Sequence, residues 1–427
     1  MSDLTEALGH VRRNRLPIWR TRDLKTRVLF GAIITLIALI ALADGGTIVF
    51  ELTTQGERWV NRMFLFWGWS RFLHQITPSA LIYDPHALYR FELGLPGARP
   101  KDLPFAYPPP SLLLIWPLGL MRPVVALLAW SAAGLGAYGL ACWRGRGGWR
   151  VALLAAIAPS TLVALYYAQN SLLVAALLIG GCRLLGRRPA LGGVLFGLMI
   201  VKPQFALLLP VALIAARQWR AIFAAGATVT LMCAASVAAF GLACWTRLPA
   251  ALAGLAAVVA HHRLLDHLAP TITGGMRVLG VGADGTRAAQ VAAMLAAAGA
   301  VWFAWRRGPS ALAVAALMVG GFLATPYAFL YDLPMLTFAL QAVIAERHDS
   351  HDGFATWEIL VLIAAALLPV LMLFQPLGAP WGMAVPAALF ALILQRIGRQ
   401  PAAPLEDAGG WRSVRPSAGA PAHGARL

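Results

Sequence analysis

The sequence predicts an all-α polytopic membrane protein: a bundle of about 10–12 transmembrane helices with a large first loop bearing juxtamembrane helices. Three observations predict it. Of the 427 residues, 59% are apolar and only 12% charged, against about 25% charged in an ordinary soluble domain. Leu, Ala, Val and Ile recur in blocks that present no polar face, which a bilayer accommodates and water does not. The basic residues sit in short runs between those blocks, the pattern of cytoplasmic loops.

Taken in order, the chain opens on a basic arm, 1–28, carrying Arg12, Arg13, Arg15, Arg20, Arg22, Lys25 and Arg27. The first apolar block, about 29–46, lacks a cleavage site and reads as a signal anchor with the N-terminus inside. A loop over 47–109 follows, rich in Trp59, Phe64, Phe66, Trp67, Trp69, Phe72, Tyr83, Tyr89 and Phe91, residues suited to the lipid–water boundary. The block 110–143 is interrupted by Pro117, Arg122 and Pro123 and predicts a short re-entrant or tilted helix plus one full pass. Further blocks lie at about 151–167, 170–185, 219–243, 288–305, 356–375 and 380–396. The pairs 190–201/203–215 and 310–326/329–345 are too short to cross singly and read as helices broken or ending inside the protein. A second polar loop is expected over 244–287, and a disordered cytoplasmic tail over 400–427, so that the membrane domain spans 29–399.

Alternation from an inside N-terminus places Arg144, Arg146 and Arg150, then Arg183, Arg187 and Arg188, Arg217 and Arg220, Arg306 and Arg307, and Arg396 and Arg399 in the cytoplasm. Both long loops then lie outside. The net charge of +17 therefore reports topology, and no nucleic-acid partner is expected, since a binding footprint gathers on one face or helix. Cys142, Cys182, Cys233 and Cys244 have no metal or redox spacing and read as small buried hydrophobes. No phosphate-cradling Gly-x-x-x-x-Gly-Lys-Ser/Thr is present. Gly192, Gly193 and Gly197 read as close helix contacts. His262 and Asp266 lie one helical turn apart without further ligands, so neither a metal nor a cofactor is expected.

Three polar interruptions fall on the outer side: Gln169-Asn170, Lys202-Pro203-Gln204, and Thr325-Pro326-Tyr327 with Asp332 just beyond. Lys202 is the most informative. A lysine near the membrane centre costs about 2.5–3.5 kcal/mol and usually faces an interior or an aqueous cavity. Pro203 breaks its helix and frees backbone groups. A lipid phosphate is a natural partner for such a point charge. The carboxylates that the topology leaves outside are few; among them Glu92, Asp102 and Asp284 read as solvated loop charges.

Five motifs then occur in a distinctive order: Ile82-Tyr83-Asp84-Pro85-His86-Ala87-Leu88, Phe105-Ala106-Tyr107-Pro108-Pro109-Pro110, Ala168-Gln169-Asn170, the Gly193-to-Gln204 block, and Ala324-Thr325-Pro326-Tyr327 with Tyr331-Asp332. The chain resembles glycosyltransferase family 87, polyprenyl-phosphate-mannose-dependent mannosyltransferases of the GT-C membrane class, over about 60–345. The resemblance implies a polyprenyl-phosphate-linked sugar donor in the outer leaflet, inversion at the sugar carbon, and transfer of a hexose, mannose first, to an extracytoplasmic glycolipid or glycan acceptor. It implies that Lys202, Gln169, Asn170 and Gln204 line the donor head site, with Tyr107, Tyr327 and Asp332 in the same cavity. Family members carry an acid just before an aromatic run in the first loop. Here that run is Phe64-Leu65-Phe66-Trp67, preceded by Asn61, Arg62 and Met63. With that acid absent, Asp84, Asp44, Glu57 or Asp332 is expected to serve as the base.

Two other classes compete. A lipid or small-solute transporter or flippase accommodates broken helices and an intramembrane lysine. No inverted repeat and no paired ionisable residues in mid-membrane are evident to support it. A non-catalytic assembly subunit accounts for the missing acid.

Overall fold

The computed structural model describes residues 46–47, 49–56, 58–60, 64–95, 104–143, 148–350, 354–374 and 378–400. The basic arm, most of the first apolar block, the tail beyond 400, and Asp44, Glu57 and Asp102 lie outside the described residues. The described residues are 81% helical and include no strand. Among the described residues, five helices are long and apolar enough to cross a membrane, or up to seven if each bent pair forms one span.

The first loop holds α1 (Leu65–Gln75), a 3-10 turn (Ser79–Tyr83) and α2 (Pro85–Leu93). The interrupted block resolves into α3 (Pro110–Ile115), a 3-10 turn (Trp116–Leu120) and α4 (Pro123–Cys142), the expected short helix plus a full pass. Proline sets both starts, since it fits the first helical turn but lacks the N–H that a helix interior needs. Next come α5 (Gly148–Ala156) and α6 (Pro159–Tyr166), bent by 51° at Pro159. α7 (Ser171–Leu184) and α8 (Pro189–Leu198) follow; Lys202 separates two 3-10 turns before α9 (Leu209–Ala215). α10 (Trp219–Phe240) packs along α8. Gly193 and Gly197 are the reason: a Cβ on Gly193 would overlap the Ala221 carbonyl, and one on Gly197 would stand 2.7 Å from the Ala225 carbonyl, while Gly192 turns to α7 and would bring a Cβ to 2.8 Å from the Gly181 carbonyl. The helices touch backbone to backbone, as the small-residue reading expected.

The stretch 244–287 departs from the polar loop expected of it. Gly241, with φ +84°, turns the chain into α11 (Ala243–His261), a 19-residue apolar helix. Arg247, Pro249 and the terminal histidines interrupt the apolar run in sequence, yet the helix is long and apolar enough to span. It packs on the 3-10 turn of the first loop, burying Cys244 and Ala251 in the aromatic core built there by Trp59, Phe66, Trp69, Phe72 and Phe105. Short helices α12 (Arg263–His267) and α13 (Ile272–Val278) lead to α14 (Ala283–Trp305).

The second core centres on α15 (Ala311–Ala324), buried at every position from Leu312 to Ala324. α14, α16 (Pro334–Ser350) and α19 (Trp381–Arg399) surround it, with α17 (Thr356–Ala366) and α18 (Leu368–Phe374), bent by 65°, outside them. On the outer surface Leu128, Leu140, Phe223, Leu231 and Leu295 are more than half exposed. Such large apolar surface on helices of this length suits lipid. At one end, Arg396 joins Glu346 and Glu358, each at 2.8 Å, tying the ends of α16 and α19 to the start of α17. Glu346 lies 12 residues along α16 from Pro334, about 18 Å from that helix's other end.

Candidate functional site

Where α16 begins, four breaks in the helices meet. The first is the corner after α6. Ala168 takes φ 47°, a left-handed conformation that an alanine holds only when its surroundings enforce it. The Trp130 indole N–H donates to the Ala168 carbonyl at 3.1 Å and pins the corner. Gln169 and Asn170 are thereby delivered at the N-terminus of α7, whose first residue, Ser171, is fully buried.

The second break is Lys202, in non-helical backbone (φ −148°, ψ 70°) between its two 3-10 turns. The side chain is buried and forms an ion pair with Asp332. A second ammonium hydrogen reaches Ser171 Oγ at 3.3 Å, and Ser171 donates its own hydroxyl hydrogen to Asp332 Oδ1. The rings of Tyr331 and Phe205 stand 5.2 and 5.7 Å from the ammonium, within reach of cation–π attraction.

The third break, after α15, runs through Thr325-Pro326-Tyr327 to a single 3-10 turn, Leu330–Asp332. Asp332 Oδ2 accepts from the Phe329 amide at 3.1 Å, so both carboxylate oxygens are engaged. Gln290 of α14 holds this break from behind, donating to the Leu323 and Ala324 carbonyls at 2.9 and 3.1 Å. The fourth contribution comes from the segment before α3. The Tyr107 hydroxyl donates to Gln169 Oε1 at 3.3 Å, and the Tyr83 hydroxyl holds the Tyr107 carbonyl at 2.8 Å. Phe66, Trp69 and Phe105 surround the Tyr107 ring at 5.5–5.9 Å. Burial first, and the nearby Asp332 charge second, raise the Tyr107 hydroxyl above its ordinary range, so it stays a donor.

The sequence-predicted residues thus divide. Lys202 and Asp332 meet directly with Ser171 between them, Tyr107 and Gln169 meet each other, and the two groups lie close enough for the Asp332 charge to act on Tyr107. Asn170 sits at the N-cap of α7 without capping it, and its buried Oδ1 has no hydrogen-bond partner. Gln204 is half-buried on the turn after Lys202. Tyr327 is 39% exposed at the rim. Asp84 lies elsewhere, capping α2 by accepting from the His86 and Ala87 amides at 2.9 and 3.2 Å. Asp44 and Glu57 lie outside the described residues.

Two expectations are corrected. Lys202 and Asp332 form the paired ionisable residues that the sequence reading did not find, because 130 residues separate them. Glu92 is not a solvated loop charge: it is buried, its Oε1 accepts from the Trp69 indole at 3.2 Å, and burial raises its pKa from 4.5 to about 7. Ser171 and Gln290 were missed as well. Their only sequence signals are that Ser171 follows the polar pair and that Gln290 is a lone amide in an apolar helix. Asp266, one half of the suspected His/Asp pair, instead faces Arg277 at 3.3 Å. Among the described residues, no group of three or more His, Cys, Asp or Glu is arranged to hold a metal.

Taken chemically, this is a buried, aromatic-lined cluster that, among the described residues, joins one cation, one anion and several polar hydrogen-bonding groups at broken helix ends. Residues 105–331 match the model of glycosyltransferase family 87. No curated protein and no solved structure matches the chain. The matched region runs from Phe105 to Tyr331 and so takes in three of the breaks completely, ending one residue short of Asp332. The aromatic walls, the buried charges and the span of the match agree: the chain belongs to glycosyltransferase family 87 and is a multi-pass membrane glycosyltransferase.

Proposed function

We propose that this chain moves a hexose, mannose first, from a polyprenyl-phosphate carrier to a glycolipid or glycan acceptor. It does so on the side of a bacterial cytoplasmic membrane that faces away from the cytosol, with both termini inside. The observation that carries the reading is Lys202: an ammonium buried where helices break, beside aromatic rings, in a family of sugar transferases.

In the transfer, the acceptor hydroxyl oxygen bonds to the anomeric carbon while the bond from that carbon to the phosphate oxygen breaks. The electron pair leaves on the phosphate, the hydroxyl proton passes to a carboxylate, and the anomeric configuration inverts. Lys202 meets the charge that grows on the leaving phosphate, where a preformed cation in a dry site acts most strongly. The positive end of α7, beginning at Ser171, adds to that field. Asn170 Oδ1, buried and unpartnered, is placed to accept from a sugar hydroxyl; Gln169 and Tyr107 orient the ring, with Gln204 and Tyr327 at the margin.

For the base, the contacts of Asp332 argue against it, since both of its oxygens are engaged and one pairs with Lys202; Asp84 caps α2 through Oδ1 alone, which leaves Oδ2 for a proton. Asp44 and Glu57 stay on the list. Glu92 joins it, because a carboxyl that titrates near neutrality suits proton transfer at neutral pH. Its Trp69 partner stacks on Tyr107 at 5.9 Å.

The test is sugar transfer in membranes from radiolabelled polyprenyl-phosphate-mannose. Label is expected in a lipid or glycan fraction and is expected to fall by roughly tenfold or more in the Lys202→Met variant. No Lys202-dependent transfer to any fraction refutes the proposal.

A further inference from the structure

We infer that Asp332 is a positioning residue that competes with phosphate for Lys202 and so drives the spent carrier off the enzyme after transfer. The inference rests on the donor reading given above and adds a device for product release.

The argument begins with charge. Lys202 and Asp332 are both almost fully buried, and the ammonium already has an anion in contact. The groups that otherwise face it are a hydroxyl and two aromatic rings. The pair is therefore close to neutral as a unit. A donor phosphate, a diester, brings one negative charge. Transfer turns it into a monoester, which carries about −1.5 to −2 at pH 7. A lone buried ammonium would hold that product more tightly than the substrate, and turnover would stall on it.

Asp332 reverses the order. As a carboxylate at the same ammonium, it repels the second phosphate charge more than the first, and in a medium of low dielectric that repulsion is strong. It is also built to return to its place. Asp332 ends a single 3-10 turn between α15 and α16, and the Phe329 amide holds its other oxygen. Ser171 touches both members of the pair: it donates to Asp332 and accepts from Lys202. Ser171 can therefore hold the carboxylate nearby while phosphate occupies the ammonium. When the carboxylate closes again on Lys202, the phosphate loses its counter-ion.

The experiment is titration calorimetry of the purified chain in nanodiscs with farnesyl phosphate, the charged product head on a short tail. Binding to the wild type is expected to depend on Lys202. Asp332→Asn is expected to bind farnesyl phosphate roughly tenfold to a hundredfold more tightly, the range of one charge-assisted hydrogen bond. Asp332→Glu, which keeps the anion, is expected to return the affinity towards wild type. If Asp332→Asn binds no more tightly while the wild type shows Lys202-dependent binding, this inference is overturned and the donor reading stands. If wild-type binding ignores Lys202, the donor reading itself fails. A second measurement needs no variant at position 332. The wild type is expected to bind the singly charged diester farnesyl methyl phosphate at least as tightly as farnesyl phosphate; a strong preference for the monoester overturns the inference.

Discussion

Removing the Lys202 ammonium tests the centre of the site in two currencies, stability and activity. Lys202→Met leaves Asp332 buried with only Ser171 and the Phe329 amide for company. An uncompensated buried charge of this kind costs about 3–5 kcal/mol. The double variant Lys202→Met/Asp332→Asn separates the two currencies. Asparagine keeps one oxygen for the Phe329 amide and turns its NH2 to Ser171 Oγ, which rotates to accept instead of donating, and the buried charge is gone. Most of the lost stability is expected back, because replacing both members of a buried pair is often close to neutral. Activity is expected not to return, since neither variant has a cation to meet the phosphate; transfer falls by roughly tenfold to more than a hundredfold, the worth of a charge-assisted contact made in the transition state. Thermal unfolding in detergent gives the first quantity and single-turnover sugar transfer the second. A Lys202→Met protein as stable as wild type refutes the buried pair, and a double variant with full transfer activity refutes the phosphate contact.

Two further predictions concern the surroundings. Glu92 has a folded pKa of about 7 against 4.5 when free, so the folded state holds its proton more tightly. Its contribution is complete below about pH 4.5 and lost as pH rises to about 7, amounting to about 3 kcal/mol; Glu92→Gln is expected to flatten the melting temperature across that window, and an unchanged slope contradicts the burial argument. Gly193→Ala drives a methyl group into the Ala221 carbonyl and to 2.8 Å from Ala224 Cβ, so α8 and α10 must part at a cost of about 1–3 kcal/mol. A melting temperature unchanged by Gly193→Ala means that the two helices do not meet there.

Much of this molecule is decided by local sequence. A bilayer asks each apolar segment, one at a time, to be long enough and free of charge, so the helical class was legible from composition and block length. The breaks at Pro117, Pro123 and Pro203 were legible too, because a proline acts through its own missing N–H and the preceding turn, whereas the bend at Pro159 inside the block 151–167 was not read. The same local logic singled out Lys202, whose cost in lipid does not depend on its partner, and the glycines of α8, whose lack of side chain is itself the property used. Gln169, Asn170 and Tyr107 could be named from their order along the chain.

What the chain does with those residues needed the tertiary structure. Asp332 becomes the partner of Lys202 only because α15 and α16 bring the 325–332 break against the N-terminus of α7, and no periodicity encodes a contact across 130 residues. Glu92 looks like any loop acid until α1 sets the Trp69 indole over it and water is excluded. In α11, Arg247 and Pro249 hid a long apolar helix that the first-loop aromatic core holds in place. In each case the sequence states a side chain's own chemistry, whereas its charge state, its partner and its access to water depend on which distant segments close around it.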